Sequence, residues 1–271
     1  MKISIAIPDS ALSDESLKID KTRKISVLAR ACAIFKTDTI FVYQDGNNYQ
    51  QDRNLLVMIL RYLETPQFLR RRLFPKMNDL KFAGVLHPLR IPSHVTPANS
   101  KKINIGDVRE GIVIGVKGKR FVDVGINQLI PFFGATYIGK RTTVQFKEGH
   151  PKLSVKEVNK DEVSDYWGYS VKERANLFSL MSEWKGNIII TSRKGKAATK
   201  EQISKYTKSD EALLIAFGSP EKGIHEILGG KRKNIQNAKS LNFFPHQATE
   251  TVRLEEALIG TLAIINAQST S

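Results

Sequence analysis

Hydrophobic positions in the first 86 residues follow two periods in turn and predict alternating strands and helices. Isoleucines alternate with small residues over 3–7, which predicts a strand, and the β-branched and aromatic run 39–43 predicts a second strand. Apolar residues at helical spacing follow each strand, over 25–35 and 55–63, and predict one helix after each. The order strand, helix, strand, helix favours a parallel α/β sheet.

From about residue 86 the pattern changes to short β-branched runs separated by glycines. A proline-rich stretch over 87–97 predicts a linker, and Lys117 with Gly118 predicts a hairpin turn. The β-branched runs predict short strands at 111–116, 120–124 and 142–146. Because no helical repeat interrupts them, residues 87–158 are predicted to form a small antiparallel β-barrel of the OB-like type.

The α/β pattern resumes over 159–271, so the predicted barrel is an insertion in a domain formed by 1–86 and 159–271. The spacing of Ser170 and Glu173 predicts a capping box for a helix that runs through Met181. Buried strands are predicted at 187–191 and 213–217. Apolar residues at helical spacing predict a last helix over 254–265, with Thr249 and Thr251 as candidate N-caps.

Three polar loops follow strands in this second part of the chain. They begin at Thr191, at Gly218 and at Asn242, and they are rich in glycine, asparagine and threonine. Ligands of open α/β sheets bind at the carboxyl ends of strands, so a polar ligand is the functional interpretation. A surface loop that leads into a core helix is the alternative.

The charge balance indicates a polyanionic partner. The chain has 42 Lys and Arg against 27 Asp and Glu, a net charge of +15. Residues 86–158 alone contain 12 Lys and Arg against 5 Asp and Glu. An acidic membrane surface is the competing interpretation, but the sequence has no apolar span of membrane length. Nucleic acid is therefore the preferred partner, and no membrane association is expected.

Two groups of basic residues are candidate RNA-binding sites. Lys117, Lys119 and Arg120 lie at the predicted hairpin, whereas Arg70, Arg71 and Arg72 are consecutive in a short element between two prolines. Consecutive helical residues point in different directions, so this triplet cannot form one flat patch. The alternatives are a solvated charged face for the triplet and a stabilising insertion with basic edges for the barrel.

Several chemistries are not indicated by the sequence. No G-x-G-x-x-G follows a strand and no G-x-x-x-x-G-K-[ST] occurs, which argues against a Rossmann enzyme and an NTPase. The single cysteine, Cys32, lies in an apolar run and is expected to be a buried packing residue. No two of the five histidines have a metal-site spacing, so no structural metal is expected. The N-terminal strand is too short for a signal peptide, which predicts a cytoplasmic protein.

Four longer motifs resemble one branch of a known family. They are Ser4-Ile-Ala-Ile-Pro, Ala29-Arg-Ala-Cys-Ala-Ile-Phe, Glu64-Thr-Pro-Gln-Phe-Leu-Arg-Arg-Arg-Leu-Phe-Pro and Thr251-Val-Arg-Leu-Glu-Glu-Ala. They are similar to the archaeal and eukaryotic SPOUT RNA methyltransferases that carry an inserted small barrel. The resemblance implies a trefoil knot, S-adenosyl-L-methionine (SAM) as cofactor and methylation of uridine N3 in large-subunit rRNA.

The same resemblance assigns residues to the predicted site. It implies a homodimer, for which Ile259 and Ile264 are additional apolar residues on the last helix. Arg23 and Arg253 are candidate catalytic residues that orient a phosphate or stabilise a uridine anion; structural ion pairs, for Arg253 with Glu255 or Glu256, are the alternative. The implied cofactor-binding residues are Thr191, Arg193, Gly218, Gly223, Asn242, Phe243, Pro245, Gln247, Thr251 and Val252. A non-catalytic RNA-binding or ribosome-assembly protein that keeps this fold is the rival hypothesis.

Overall fold

The structure is a computed structural model that describes residues 1–46, 49–95 and 99–269. The chain divides into two compact units. Unit 1 comprises Met1–Leu63, Asn78–Leu89 and Tyr169–Ser271, and unit 2 comprises Glu64–Met77 and Arg90–Gly168. The end of the predicted linker, Thr96 and Pro97, lies outside the described residues.

The regular elements are numbered here in chain order. They are β1 (Ile3–Pro8), α1 (Lys18–Ile34), β2 (Thr39–Tyr43), α2 (Gln50–Glu64), α3 (Gln67–Leu73), β3 (Val108–Val116), β4 (Lys119–Asp123), β5 (Ile130–Pro131), β6 (Arg141–Glu148), β7 (Ser154–Glu157), β8 (Ser170–Arg174), α4 (Leu177–Glu183), β9 (Asn187–Ala197), α5 (Lys200–Thr207), β10 (Leu213–Ala216), α6 (Ile224–Leu228), β11 (Ala238–Asn242) and α7 (Leu254–Ser269).

Unit 1 is built on a six-stranded sheet in which every neighbouring pair is parallel. The strand order is β11-β9-β10-β1-β2-β8. The middle of the sheet is buried on both faces, which is why β10 and residues 188–190 of β9 are continuous apolar runs and β1 contains a single polar residue. The predicted parallel α/β sheet is confirmed.

Helices of unit 1 bury the apolar stripes that the sequence predicts. α7 buries Leu254, Leu258, Leu262 and Ile265 and packs against α1 and α5. Cys32 of α1 is fully buried, and this burial raises the pKa of its thiol to about 12. The cysteine is therefore a packing residue, as predicted, because its reactive thiolate is strongly disfavoured.

One predicted helix start is wrong, and so are the predicted N-caps of the last helix, although that helix begins at Leu254 as predicted. Residues from Ser170 form the edge strand β8, where Ser170 pairs with Thr39, and α4 begins only at Leu177. Asn176 caps that helix, because its side-chain oxygen accepts a hydrogen bond from the Ser179 amide at 2.7 Å. α7 begins at Leu254, several residues after Thr249, and Glu256 accepts a hydrogen bond from the Arg253 amide at 2.9 Å. Ser170 thus belongs to a strand and caps no helix. At the start of α7 the Glu256 carboxylate, and not a threonine, accepts the backbone hydrogen bond.

The predicted turn after Thr191 is also wrong, because β9 continues to Ala197. Its pairing with β11 shifts sharply: Ser240 lies opposite Ile190, whereas the next residue, Leu241, lies opposite Lys196. Residues 191–195 therefore form a large bulge. A Cβ at Gly195 would lie 2.8 Å from the Leu241 amide nitrogen, so only glycine allows this close approach of the two backbones.

Unit 2 contains a five-stranded antiparallel sheet that is nearly closed into a barrel. Its strand order is β5-β4-β3-β6-β7. The barrel core includes Val113, Val122, Val144 and Phe146. Lys117 and Gly118 both have positive φ angles, of 48° and 75°, as a two-residue hairpin turn requires. The predicted antiparallel barrel and its hairpin are confirmed.

Candidate functional site

The second half of the sheet in unit 1 brings the predicted ligand-binding segments into contact. The Thr191 hydroxyl donates to the Ala216 carbonyl oxygen at 2.9 Å, which joins the bulge of β9 to the end of β10. The Asn242 side chain donates to the Arg193 carbonyl oxygen at 3.1 Å. The Arg193 guanidinium in turn donates to the Glu250 carbonyl oxygen at 2.7 Å. Three segments that are distant in sequence therefore form one connected site.

The loop after β10, residues 217–223, is anchored at its start and closed by an internal hydrogen bond. The Phe217 amide donates to the Ala6 carbonyl oxygen at 2.9 Å, and the buried Tyr43 hydroxyl donates to the Phe217 carbonyl oxygen at 2.7 Å. Further along, the Ser219 amide donates to the Lys222 carbonyl oxygen at 2.9 Å. The loop is thus a closed turn that is held by the ends of β1 and β2.

The two glycines of this loop have different surroundings. A Cβ at Gly218 would lie 2.9 Å from the Lys222 carbonyl oxygen, so Gly218 is required by the turn itself. A Cβ at Gly223 would meet no heavy atom within 4 Å. Gly223 therefore leaves exposed backbone that a ligand can approach closely.

The loop after β11, from Asn242 to Val252, is organised by its own polar side chains. The Asn242 side-chain oxygen accepts from the Phe244 amide at 2.9 Å, and the Gln247 side chain donates to the Thr249 carbonyl oxygen at 2.9 Å. Phe243 is buried, whereas Pro245 and Thr251 are exposed and Val252 is half-buried. The loop therefore combines exposed backbone with an apolar support.

The two candidate catalytic arginines have separate ion pairs in unit 1. Arg23 pairs with Asp20 at 2.8 Å, and Arg253 lies 3.5 Å from Glu15. The predicted alternative partner of Arg253, Glu255, instead pairs with Lys24 at 3.2 Å. Both arginine side chains are more than half exposed, at 57% and 60%. Exposed pairs are weak, so neither guanidinium is locked in its present contact.

Two buried carboxylates at the ends of β1 and β2 were missed by the sequence analysis. Asp9 and Asp45 are 2% and 8% exposed, and the Asp9 carboxylate accepts from the Asp45 amide at 3.3 Å. Ser10 donates to the Asp45 carboxylate. Burial raises the pKa of Asp9; the Asp45 amide opposes this effect and the Asp45 carboxylate adds to it. Each residue closely follows a predicted strand, which is the signal that could have identified them.

The predicted RNA-binding residues of unit 2 differ in their contacts. Lys117, Lys119 and Arg120 are all exposed at the β3–β4 hairpin. In the arginine triplet, the Arg70 side chain donates to the Thr65 carbonyl oxygen at 2.9 Å and Arg72 pairs with Asp123 at 3.0 Å. Arg120 of the hairpin also donates to the Thr136 carbonyl oxygen at 3.3 Å, so the hairpin and the triplet each include arginines that make contacts within unit 2.

A separate cavity of about 530 Å³ lies wholly in unit 2. Its lining includes Asp107, Arg109, Lys156, Asp165 and Trp167, and so mixes both signs of charge. It is distinct from the loops of unit 1. Among the described residues there is no group of three or more His, Cys, Asp or Glu that could hold a metal ion. Over the same ranges, no helix has the length and apolarity needed to cross a membrane.

Comparisons with known proteins identify a family and several relatives that are similar to this chain over nearly its whole length. A family described as "Putative RNA methyltransferase" matches residues 2–265. An uncharacterized protein of Halobacterium salinarum is 30% identical over 97% of this chain and 98% of its own length. The 28S rRNA (uridine-N(3))-methyltransferase of Homo sapiens is 28% identical over 97% of this chain and 77% of its own length. The protein of the same name in Drosophila melanogaster is 26% identical over 97% of this chain and 61% of its own length. Since the family match spans nearly the whole sequence, the chain belongs to this RNA methyltransferase family.

Proposed function

We propose that this protein transfers a methyl group from SAM to N3 of a uridine in large-subunit rRNA. The observation that carries the proposal is the set of hydrogen bonds that joins the bulge of β9, through Thr191 and Arg193, to the end of β10, to Asn242 and to the residues that precede α7. The curated relatives with a named substrate are rRNA uridine-N3 methyltransferases, which supports the choice of acceptor atom.

The residues of these loops fit the proposed cofactor. The open space at Gly223 gives access to backbone donors and acceptors, which suit an adenine edge and a ribose. The loop after β11 adds two apolar residues, the buried Phe243 and the half-buried Val252. We propose that SAM, when bound, supplies an electrophilic methyl group on a positively charged sulfonium. Residues proposed to hold it are Thr191, Arg193, Gly218, Gly223, Asn242, Phe243, Pro245, Gln247, Thr251 and Val252.

The acceptor nitrogen needs help because uridine N3 carries a proton and is a weak nucleophile while protonated. We propose that Arg253 stabilises the anion that forms and that Arg23 orients a phosphate of the RNA. Both guanidiniums are more than half exposed, so RNA can replace their carboxylate partners. Arg253 also lies directly after the proposed cofactor loop, where the reacting base must be placed.

The wider architecture belongs to the same proposal. In the sheet, β9 lies between β10 and β11. The last strand, β11, therefore pairs with β9 and not with β10, and this order supports a trefoil knot of the SPOUT type. The strand order and near closure of the unit 2 sheet support an OB-like barrel, and its basic hairpin supports a role in RNA binding. A homodimer through α7 is supported by Ile259, which is 40% exposed. A cytoplasmic location is proposed as well.

Methylation of purified rRNA with isotope-labelled SAM, followed by nucleoside analysis, tests the proposed reaction. The expected product is 3-methyluridine at one position of the large-subunit RNA. Calorimetry gives cofactor binding independently, with one SAM per chain expected. RNA and SAM binding without any methyl transfer would favour the rival hypothesis of a non-catalytic ribosome-assembly protein.

A further inference from the structure

Two aromatic rings of unit 2 project into solvent from one short segment. Phe133 and Tyr137 lie between β5 and β6, and they are 88% and 80% exposed. The next residue, Ile138, is 58% exposed. Single exposed apolar residues are common on protein surfaces, whereas a group of exposed apolar residues indicates a binding surface.

The segment that carries these rings is held firmly. The Glu157 carboxylate accepts hydrogen bonds from the Ala135 amide at 2.6 Å and from the Thr136 hydroxyl. The Gly139 amide donates to the Val113 carbonyl oxygen at 2.7 Å. The backbone on both sides of Tyr137 is therefore fixed, so a ligand that binds the rings does not have to order this segment first.

The surroundings of the rings are positively charged. The Phe132 amide donates to the Arg120 carbonyl oxygen at 3.0 Å, which places the segment beside the β3–β4 hairpin. The Arg120 guanidinium donates to the Thr136 carbonyl oxygen at 3.3 Å and lies 5.8 Å from the Phe132 ring centroid. Lys117, Lys119 and Lys140 are exposed in the same two segments. The nearby Glu157 carboxylate is already engaged by the backbone of the segment.

Aromatic faces between cations match the chemistry of unpaired nucleotides. Bases of single-stranded RNA stack on aromatic side chains while the phosphates contact lysine and arginine. The bases of a duplex are stacked on one another and present no free faces. We propose that Phe133 and Tyr137 stack unpaired bases of the RNA substrate, and that Lys117, Lys119, Arg120 and Lys140 contact its phosphates.

This inference deepens the proposed function, because it names single-stranded RNA as the part of the substrate that unit 2 binds. A Phe133→Ala/Tyr137→Ala variant of the full chain tests it. Fluorescence anisotropy with a short single-stranded oligoribonucleotide should show a loss of affinity of about 5- to 150-fold per ring. The affinity for duplex RNA and the salt dependence of binding should be unchanged, because no charge is removed.

Three further variants make the result specific. Tyr137→Phe keeps a ring and should retain binding, and Ile105→Ala removes a 73% exposed apolar side chain elsewhere in unit 2 and should have no effect. A Lys117→Ala/Lys119→Ala variant should instead flatten the salt dependence by roughly 0.7 per lost phosphate contact. Since both rings are exposed, the melting temperature of the ring variant should match the parent.

The outcomes separate this inference from the proposed reaction. Parental single-strand affinity in the ring variant would overturn the inference, whether or not the enzyme methylates rRNA. A parent that binds through these rings but transfers no methyl group would leave the inference standing and overturn the proposed reaction. Unchanged RNA binding together with a fall in molecular mass by light scattering would show that the rings instead join two copies of this chain.

Discussion

The Arg193 guanidinium donates a hydrogen bond to the Glu250 carbonyl oxygen at 2.7 Å, and this contact ties the bulge of β9 to the residues that precede α7. The bulge exists because Gly195 allows the backbone to approach Leu241. Arg193 lies in this bulge, and its side chain holds the proposed cofactor loop through the hydrogen bond to Glu250. Removal of the guanidinium removes that hydrogen bond.

Replacing Arg193 with alanine should weaken SAM binding by roughly 5- to 30-fold, because a hydrogen bond from a charged donor contributes about 1–2 kcal/mol. The melting temperature should change little, since Arg193 is exposed. Calorimetry measures the affinity. Lys194→Ala removes the same charge from the adjacent residue and is the matched control. Equal losses in both variants would mean that net charge, not the tether, controls affinity.

Substitution of the two glycines in the 217–223 loop should affect SAM affinity and stability differently. Gly223→Asn should reduce SAM affinity without loss of stability, because asparagine is a good residue at the start of α6 and its side chain enters open space. Gly218→Ala should lower the melting temperature as well, since its Cβ would lie 2.9 Å from the Lys222 carbonyl oxygen. Parallel calorimetry and thermal unfolding distinguish the two effects. Parental affinity in Gly223→Asn would remove this residue from the site.

Local periodicity predicted those elements whose side chains face one apolar core. β1, β2, α1 and α7 were recoverable because their apolar residues repeat at strand or helix spacing. The edge strand β8 was mistaken for a helix start, because its residues are only partly buried and its hydrogen bonds go to β2. Local spacing contains no information about such a partner.

The same limit explains what was missed in the candidate site. Asp9 and Asp45 are 36 residues apart and meet only because β1 and β2 pair in parallel. The extended path of Thr191 to Gly195 depends on the backbone of β11, which is likewise distant in sequence. Charge counting identified the basic barrel, but it could not show that Phe133 and Tyr137 are exposed rather than buried.

Unit 2 should depend strongly on Arg141, which lies between two buried carboxylates. Its guanidinium donates to Glu64 at 2.6 Å and also to Glu110. Arg141→Met should lower the free energy of unfolding by about 3–5 kcal/mol, because Glu110 loses its cation and Glu64 keeps only Lys160, at 3.6 Å. Urea denaturation of the full chain measures this. Adding Glu64→Gln and Glu110→Gln to Arg141→Met should recover much of the loss.

A control for this network is Lys147→Met, which changes an exposed cation near the end of the same strand. Its effect should stay within about 0.5 kcal/mol. If Arg141→Met were as mild as this control, water would have to reach Glu64 and Glu110 in the folded protein. The triple variant would then show no recovery over Arg141→Met.

Glu157 should make the stability of unit 2 depend on pH in the acidic range. Burial works to raise the pKa of this carboxyl, but hydrogen bonds from Thr136, Ala135 and Thr142 outweigh it and hold the pKa below its ordinary value of 4.5. The unfolded chain therefore takes up a proton before the folded chain does. The stabilisation is fully present above the ordinary value and is lost as the pH falls through the lowered folded value.

Glu157→Gln should consequently be less stable than the parent at pH 7, by roughly 1–2 kcal/mol, since it loses charge-assisted hydrogen bonds to the segment that carries Phe133 and Tyr137. The difference between parent and variant should shrink as the pH is lowered below 4.5. Denaturant unfolding of both proteins across this range measures it. Glu148→Gln, which changes an exposed glutamate at the end of β6, is the matched control. A Glu157→Gln difference that does not vary with pH would mean that the carboxylate is not what fixes the ring-bearing segment.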